Sequence, residues 1–285
     1  MTPRFSIVIP TRDDAAALAR TLDWLAALPG VNGAEIIVAA APGPDATERV
    51  AEGRARVVRP GGSTRAELMN AGAALARGEV LFFLHADSFP PERALALIDQ
   101  ALADPRAVGG AFEHLFDEPA WSLRAITWIN RARYRITGNW YGDQGIFVRA
   151  GTFRALGGYR ELRLLEDVDF SRRLKRRGRS VLVRVALRTS GRRFLARGPW
   201  RTFFFCWWLV GRFTLGLDTE RYAERWRGPA GHVPGTPWLG PRRGASPPTG
   251  ASERPFRRSS LASGSLLPAS PQDRLRRQSR RSDGT

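Results

Sequence analysis

The 285-residue chain has a single cysteine, Cys206, and a single lysine, Lys175. One cysteine excludes an intrachain disulfide framework and fits a reducing compartment. With lysine nearly missing, the 45 basic residues are almost all arginine; against 27 acidic residues they leave a net charge of +18. An arginine skew of this kind fits a GC-rich genome and marks no site by itself. The excess positive charge still attracts phosphates, anionic lipid headgroups or nucleic acid. Long apolar runs are missing too. The longest, Phe203 to Val210, is far below the roughly 20 residues a membrane-spanning helix needs. The first, Phe5 to Ile9, meets Pro10 at once, so no signal peptide is legible. The expectation is a cytoplasmic, non-transmembrane protein that can lie peripherally on the inner face of the cell membrane.

What the chain does have is a globular composition, 43% hydrophobic with nine tryptophans, and length enough to bury a core. Val80 to Leu84 is a continuous apolar run of strand length, the pattern of a strand buried on both faces of a parallel sheet. It ends in His85-Ala86-Asp87, and Pro90-Pro91 is expected to stop the strand and open the next helix. A carboxylate at the end of a buried parallel strand is where open α/β sheets place ligand chemistry.

Around that strand the first hundred residues alternate strand and helix. Phe5 to Ile9 is a strand pattern, and Asp13 or Asp14 can cap the helix carrying Leu18, Leu22 and Leu25. Glu35 to Ala40 and Arg56 to Arg59 read as further strands. Pro42 to Asp45 reads as a turn into a short helix, and Ser63 or Thr64 as the cap of a helix to about Ala76. This alternation predicts an α/β fold with a mostly parallel, doubly wound sheet.

The second half is less regular. Gly109-Gly110 predicts a bend in the strand Val108 to Phe116. Trp121 to Ile136 reads as a basic aromatic helix, and Ile146 to Val148 as a short strand. Leu164 to Arg177 reads as a basic helix opened by acids, Val181 to Leu187 as a strand, and Trp200 to Leu217 as an apolar aromatic helix. Beyond 228 the composition turns to Pro, Gly, Ser and Arg, too poor in apolar residues to offset the entropy of ordering. The expected organisation is one domain over 1–228 and a disordered basic tail over 229–285.

Four groups carry chemistry, and each has a plain structural reading beside the functional one. Asp87 reads either as a cap for the following helix or as the one carboxylate that, with substrate phosphates, holds a divalent cation. His85 fits either a ligand role or packing. Glu166-Asp167, with Asp169, reads as first-turn acids complementing a helix dipole or as a general base on a fixed element. Gly142-Asp143-Gln144-Gly145 reads as a tight turn, or as Asp143 and Gln144 facing a sugar or an acceptor hydroxyl. Arg192-Arg193, after Thr189-Ser190, reads as solvated surface or as a diphosphate clamp.

These pieces occur together and in order, and on them the chain resembles family 2 glycosyltransferases of the GT-A fold. It is most similar to the bacterial branch known as rSAM/selenodomain-associated transferase 2, to which some carotenoid-acid glycosyltransferases are similar. The matching residues are Ser6 to Thr11, Arg65-Ala66 with Met69 to Gly72, Leu84 to Asp87, Gly109 to Phe112, Gly142 to Gly145, Leu156 to Tyr159, Glu166 to Asp169, and Thr189-Ser190 with Arg192-Arg193. They span residues 5 to about 226. The resemblance implies an inverting transfer from a nucleotide-sugar donor, with Mn²⁺ or Mg²⁺ on Asp87 and the general base at Asp167 beside Glu166. It implies donor contacts at Pro10, Thr11, Asp45, Arg65, Asn70, His85 and Asp87, acceptor contacts at Asp143 and Gln144, and diphosphate contacts at Arg192 and Arg193. The aromatic, basic stretches add the expectation of a lipid-like acceptor, polyprenyl or carotenoid. One departure stands out: the acid that usually ends the second strand and reads the nucleobase is here Ala40, which leaves the nucleotide open. Leu68 also stands where a glutamine is common. Two alternatives remain, a basic nucleic-acid-binding or anion-binding protein working through its tail, and a degenerate transferase that binds nucleotide without turnover. Against the first, the core holds no recognisable nucleic-acid motif.

Overall fold

The computed structural model describes residues 2–44 and 46–227; Asp45 and the expected tail at 229–285 lie outside them. In chain order the elements are β1 (Phe5–Thr11), α1 (Ala15–Ala26), β2 (Ala34–Ala40), α2 (Thr47–Ala51), β3 (Arg56–Val58), α3 (Arg65–Leu75), β4 (Val80–Phe83), β5 (Ser88–Phe89), α4 (Ala94–Ala101), β6 (Ala107–Phe116), α5 (Trp121–Thr137), β7 (Phe147–Arg149), α6 (Ala150–Ala155), α7 (Glu166–Arg177), β8 (Arg179–Thr189), α8 (Arg192–Arg197), α9 (Pro199–Thr214) and α10 (Ala223–Arg227).

The strands form one sheet in the order β3-β2-β1-β4-β7-β6-β8-β5. Strands β3, β2, β1 and β4 are parallel, as the alternation of the first hundred residues predicts. The sheet becomes mixed beyond them: β7 runs antiparallel between β4 and β6, and β5 antiparallel on β8. Both faces are covered. Ile7, Ile9 and Phe82 pack with α1 and α4 on one side, while Val8, Leu81 and Phe83 pack with Met69, Tyr134 and Phe170 on the other. Successive strand residues point to opposite faces, so a strand covered on both must be apolar throughout, and β4 is buried at every position.

Two local expectations change. Pro90-Pro91 does not open a helix: the Pro91 carbonyl accepts from Ala94 in a turn at 2.8 Å, and α4 starts only at Ala94. The residues just before the prolines instead form β5, held to β8 by Ser88 and Thr189 hydroxyls 2.8 Å apart. Asp14 stands at the start of α1 but its side chain caps nothing, whereas Thr64 caps α3 in a reciprocal box with Glu67. The aromatic helices do not both lie on the sheet. Helix α5 packs Tyr134 toward it, but Leu123 and Ile126 meet Phe203 of α9 and Phe116 in a separate small core. The predicted bend in β6 is present, with register shifts against β8 at Ala107/Gly109 and Phe112/Glu113. Among the described residues no helix is long and apolar enough to cross a membrane.

Candidate active site

The site is built outward from the end of β4. Leu84 still donates to the Val8 carbonyl at 3.0 Å, and the chain then leaves the sheet through His85 and Asp87. Its backbone is pinned on both sides. The Thr21 hydroxyl of α1 donates to the Ala86 carbonyl at 2.6 Å, and Ser190, just past β8, donates to the Asp87 carbonyl at 3.2 Å. The Asp87 carboxylate is left with Arg192 Nη2 3.6 Å from its Oδ2. The same guanidinium grips Asp14, with Nη1 3.1 Å from Oδ1 and Nη2 on Oδ2. Burial pushes the Asp87 carboxyl above the ordinary aspartate range, against the pull of Arg192.

Arg65 is the first residue of α3, fixed by the Thr64–Glu67 cap, and its guanidinium gathers three groups. Nε donates to Glu166, Nη2 to Asp167 Oδ2 at 2.9 Å, and Nη1 lies 2.9 Å from His85 Nε2. Arginine only donates, so His85 Nε2 accepts and the imidazole carries its proton on Nδ1. Burial and the charge of Arg65 agree with that, holding His85 well below the usual histidine range. Glu166 and Asp167 in turn raise Arg65 against the opposing effect of burial.

Glu166 and Asp167 open α7 directly after Leu165, a non-glycine residue in left-handed backbone (φ 61°). Such strain persists only where surroundings impose it, and it clusters at functional sites. Both acids are buried. Burial raises Glu166 above the usual glutamate range. Asp167 Oδ2 accepts from Arg65 and from the Gly142 amide at 2.7 Å, while Oδ1 accepts from Val168 at 2.7 Å. A carboxylate oxygen has two lone pairs, so one acceptor position remains on Oδ1. The third acid, Asp169, turns away to Arg160 and Arg173. Gly142 is required where it is: a Cβ there would come 2.6 Å from His85 Nε2.

The structure thus brings Arg65, His85, Glu166, Asp167 and Gly142 into direct contact, with Asp87 two residues beyond His85 and paired to Arg192. Other residues singled out in the sequence are placed differently. Pro10 and Thr11 end β1, with Thr11 in register with Ala40 at the end of β2; the Thr11 hydroxyl is buried without a partner. Asn70 is spent on the Tyr159 backbone, donating to its carbonyl at 2.8 Å and accepting from its amide at 2.9 Å. Gln144 is buried and holds its own turn, accepting from Tyr141 at 3.0 Å and donating to Phe112 at 3.0 Å. Arg193 is exposed and lies over the Trp226 ring.

Sequence reasoning missed Asp14, read as a cap, and His114, an inward residue of β6. His114 Nε2 lies 3.7 Å from Asp143. It is buried without a hydrogen-bond partner, as are Asp143 Oδ1 and the Tyr141 hydroxyl. Burial lowers the His114 pKa. The only signal for His114 was alternation along β6.

Among the described residues no group of three or more His, Cys, Asp or Glu side chains is arranged to hold a metal. Asp87 fits the other mode of binding, in which one carboxylate contributes and substrate phosphates complete the shell. Its raised pKa marks a buried carboxylate that a cation would favour, and Arg192 already supplies positive charge beside it.

The family model described as glycosyl transferase family 2 matches residues 6–157. A comparison with curated proteins returns no match. Among solved structures the chain is similar to the mannosyltransferase PcManGT from Pyrobaculum calidifontis in complex with GDP-Man and Mn²⁺. That likeness has 20% identity and a TM-score of 0.54, over 67% of this chain and 57% of that one. It is also similar to S. aureus TarS 1–349, at 15% identity and a TM-score of 0.52, over 68% of this chain and 62% of that one. The same TarS fragment in complex with UDP-GlcNAc matches at 15% identity and 0.52, over 66% and 58%. At these identities the likeness shows the fold, and the match spans less than two thirds of those chains' own length.

Proposed function

Because the chain belongs to glycosyl transferase family 2, we propose that it moves a sugar from a nucleotide-diphosphate donor to an acceptor hydroxyl or carboxylate, with inversion at the anomeric carbon. The observation that carries this reading is the contact of Arg65 with Glu166, Asp167 and His85, which joins the acid pair of α7 to the end of β4 where Asp87 stands. The donors seen in the similar structures, GDP-Man and UDP-GlcNAc, support the donor class; Ala40 leaves the nucleotide open.

In this reading Asp167 is the general base. Its free Oδ1 position takes the proton as the acceptor oxygen forms its bond to the anomeric carbon and the bond to the diphosphate breaks. Arg65 and the Gly142 amide hold the carboxylate in place by hydrogen bonds to its Oδ2. Asp87 would hold Mn²⁺ or Mg²⁺, which when bound offsets charge on the leaving diphosphate. Arg192 and Arg193 receive the diphosphate, and Pro10, Thr11 and His85 border the donor, with Asp45 as the further expected contact. Asn70 shapes the wall through Tyr159. Asp143 faces the acceptor, and Gln144 fixes the turn that carries it. The acceptor is lipid-like, of the polyprenyl or carotenoid class, reached from a peripheral position on the cytoplasmic face of a membrane.

A thermal-shift panel of nucleotide diphosphates with and without Mn²⁺ tests the reading. The expected result is a stabilising shift that needs both components, is lost in Asp87→Ala, and survives in Asp167→Asn although that variant no longer transfers sugar. Transfer retained in either variant would count against the role given to that residue. Nucleotide binding without any turnover in the wild type would favour the degenerate reading.

A further inference from the structure

We propose that the outer face of α5 and α9 is a docking surface for an anionic lipid bilayer. This gives named side chains to the peripheral placement proposed above, and it holds or fails independently of sugar transfer. Among the described residues ten large apolar side chains remain exposed, and eight of them lie on α5, on α9 and in the turn after α9. On α9, Phe204, Trp207 and Trp208 follow the i, i+3, i+4 spacing of one helix side, and Leu215 follows in the turn after it. On α5, Trp121 and Trp128 stand two turns apart, 73% exposed each. The patch is continuous between the helices, since the Trp121 and Trp200 rings are 6.2 Å apart and Trp200 lies 6.2 Å from Phe204. Each helix turns its inner side to the small core of Leu123, Ile126 and Phe203 and leaves the aromatic side outside. Large apolar side chains gain free energy by leaving water, so a contiguous set left exposed marks an interaction surface.

Charge selects the partner. Neither α5 nor α9 contains an Asp or Glu, while between them they carry Arg124, Arg131, Arg133, Arg135, Arg201 and Arg212. Arg131 and Arg135 are committed to Glu113, and Arg133 stacks on Tyr141. Arg124 and Arg201 are exposed beside the aromatic patch, and Arg212 lies over the Trp208 ring. Aromatic rings flanked by arginine suit the headgroup boundary of an anionic membrane. A second copy of the chain suits it poorly, because a two-fold contact sets the same patch against itself and brings arginine to arginine.

The test is sedimentation of the full chain with vesicles of phosphatidylcholine, with and without about 30% phosphatidylglycerol. It is read at low salt and at about 0.5 M, where screening shortens to about 4 Å. The wild type is expected to bind the anionic vesicles and to keep a salt-resistant fraction. Trp128→Ser/Phe204→Ser/Trp207→Ser, all exposed positions, should lower that fraction about tenfold or more while keeping any nucleotide-plus-Mn²⁺ thermal shift. Equal binding by variant and wild type would overturn the proposal, as would complete loss of wild-type binding at high salt, which assigns binding to charge alone. A wild-type dimer that the triple substitution converts to monomer would overturn it in favour of self-association. Absence of the nucleotide shift in the wild type would count against sugar transfer only.

Discussion

Arg65 pairs with two buried carboxylates and gives a further N–H to a neutral histidine, so its removal strands more than one group. Breaking a buried pair on one side costs about 3–5 kcal/mol. Arg65 is itself about a third exposed, which places Arg65→Gln nearer 2–3 kcal/mol by that principle. Chemical denaturation should register that loss together with abolished transfer; an unchanged midpoint would mean Glu166 and Asp167 do not depend on it. His114 gives a prediction in pH. Its folded-state pKa is lowered by burial, so below about pH 6.5 the unfolded chain takes up a proton that the folded chain refuses. Its contribution is intact above that pH and declines as pH falls, by up to about 1.4 kcal/mol per unit. The melting temperature of the wild type should therefore drop more steeply than that of His114→Gln between about pH 7 and 5; parallel curves would contradict this. At this scale the sequence marked the segments that meet at the candidate site but not the partners each side chain takes there. Nothing local distinguishes Asp167, turned to Arg65, from Asp169, turned to Arg160 and Arg173, or marks Asn70 and Gln144 as spent on backbone. Asp14 and Arg192 meet across 178 positions, and no spacing rule reports such a pair.

The elements divide the same way. Strands β1, β2 and β4 were legible because double burial writes a continuous apolar run. The direction of β7 and the existence of β5 were not, since strands of three and two residues carry no periodicity. The glycine pair in β6 was read correctly as a bend, and its cost of substitution is specific. A Cβ at Gly110 would strike the Val181 carbonyl and the Phe147 ring, while one at Gly151 in α6 meets nothing within 4 Å. Gly110→Ala should destabilise by about 1–3 kcal/mol or more, and Gly151→Ala should stabilise by about 0.5–1 kcal/mol. Denaturation midpoints moving in the same direction would refute the contrast.

Across the whole molecule, the parallel half of the sheet and its mixed half meet at β4, and the candidate site lies where β4 runs out between them. Among the described residues, arginine at the site is paired with acids, Arg65 with Glu166 and Asp167 and Arg192 with Asp14 and Asp87, while Arg212 on α9 lies over an aromatic ring. The segment carrying Asp87 is stitched through its carbonyl to Ser190, two residues before Arg192, so the acid and the arginine beside it ride on a single splice of backbone. In the function proposed above, admitting the donor is an exchange of electrostatic company, in which the Arg192 side chain gives up Asp14 and Asp87 and turns to the donor's phosphates.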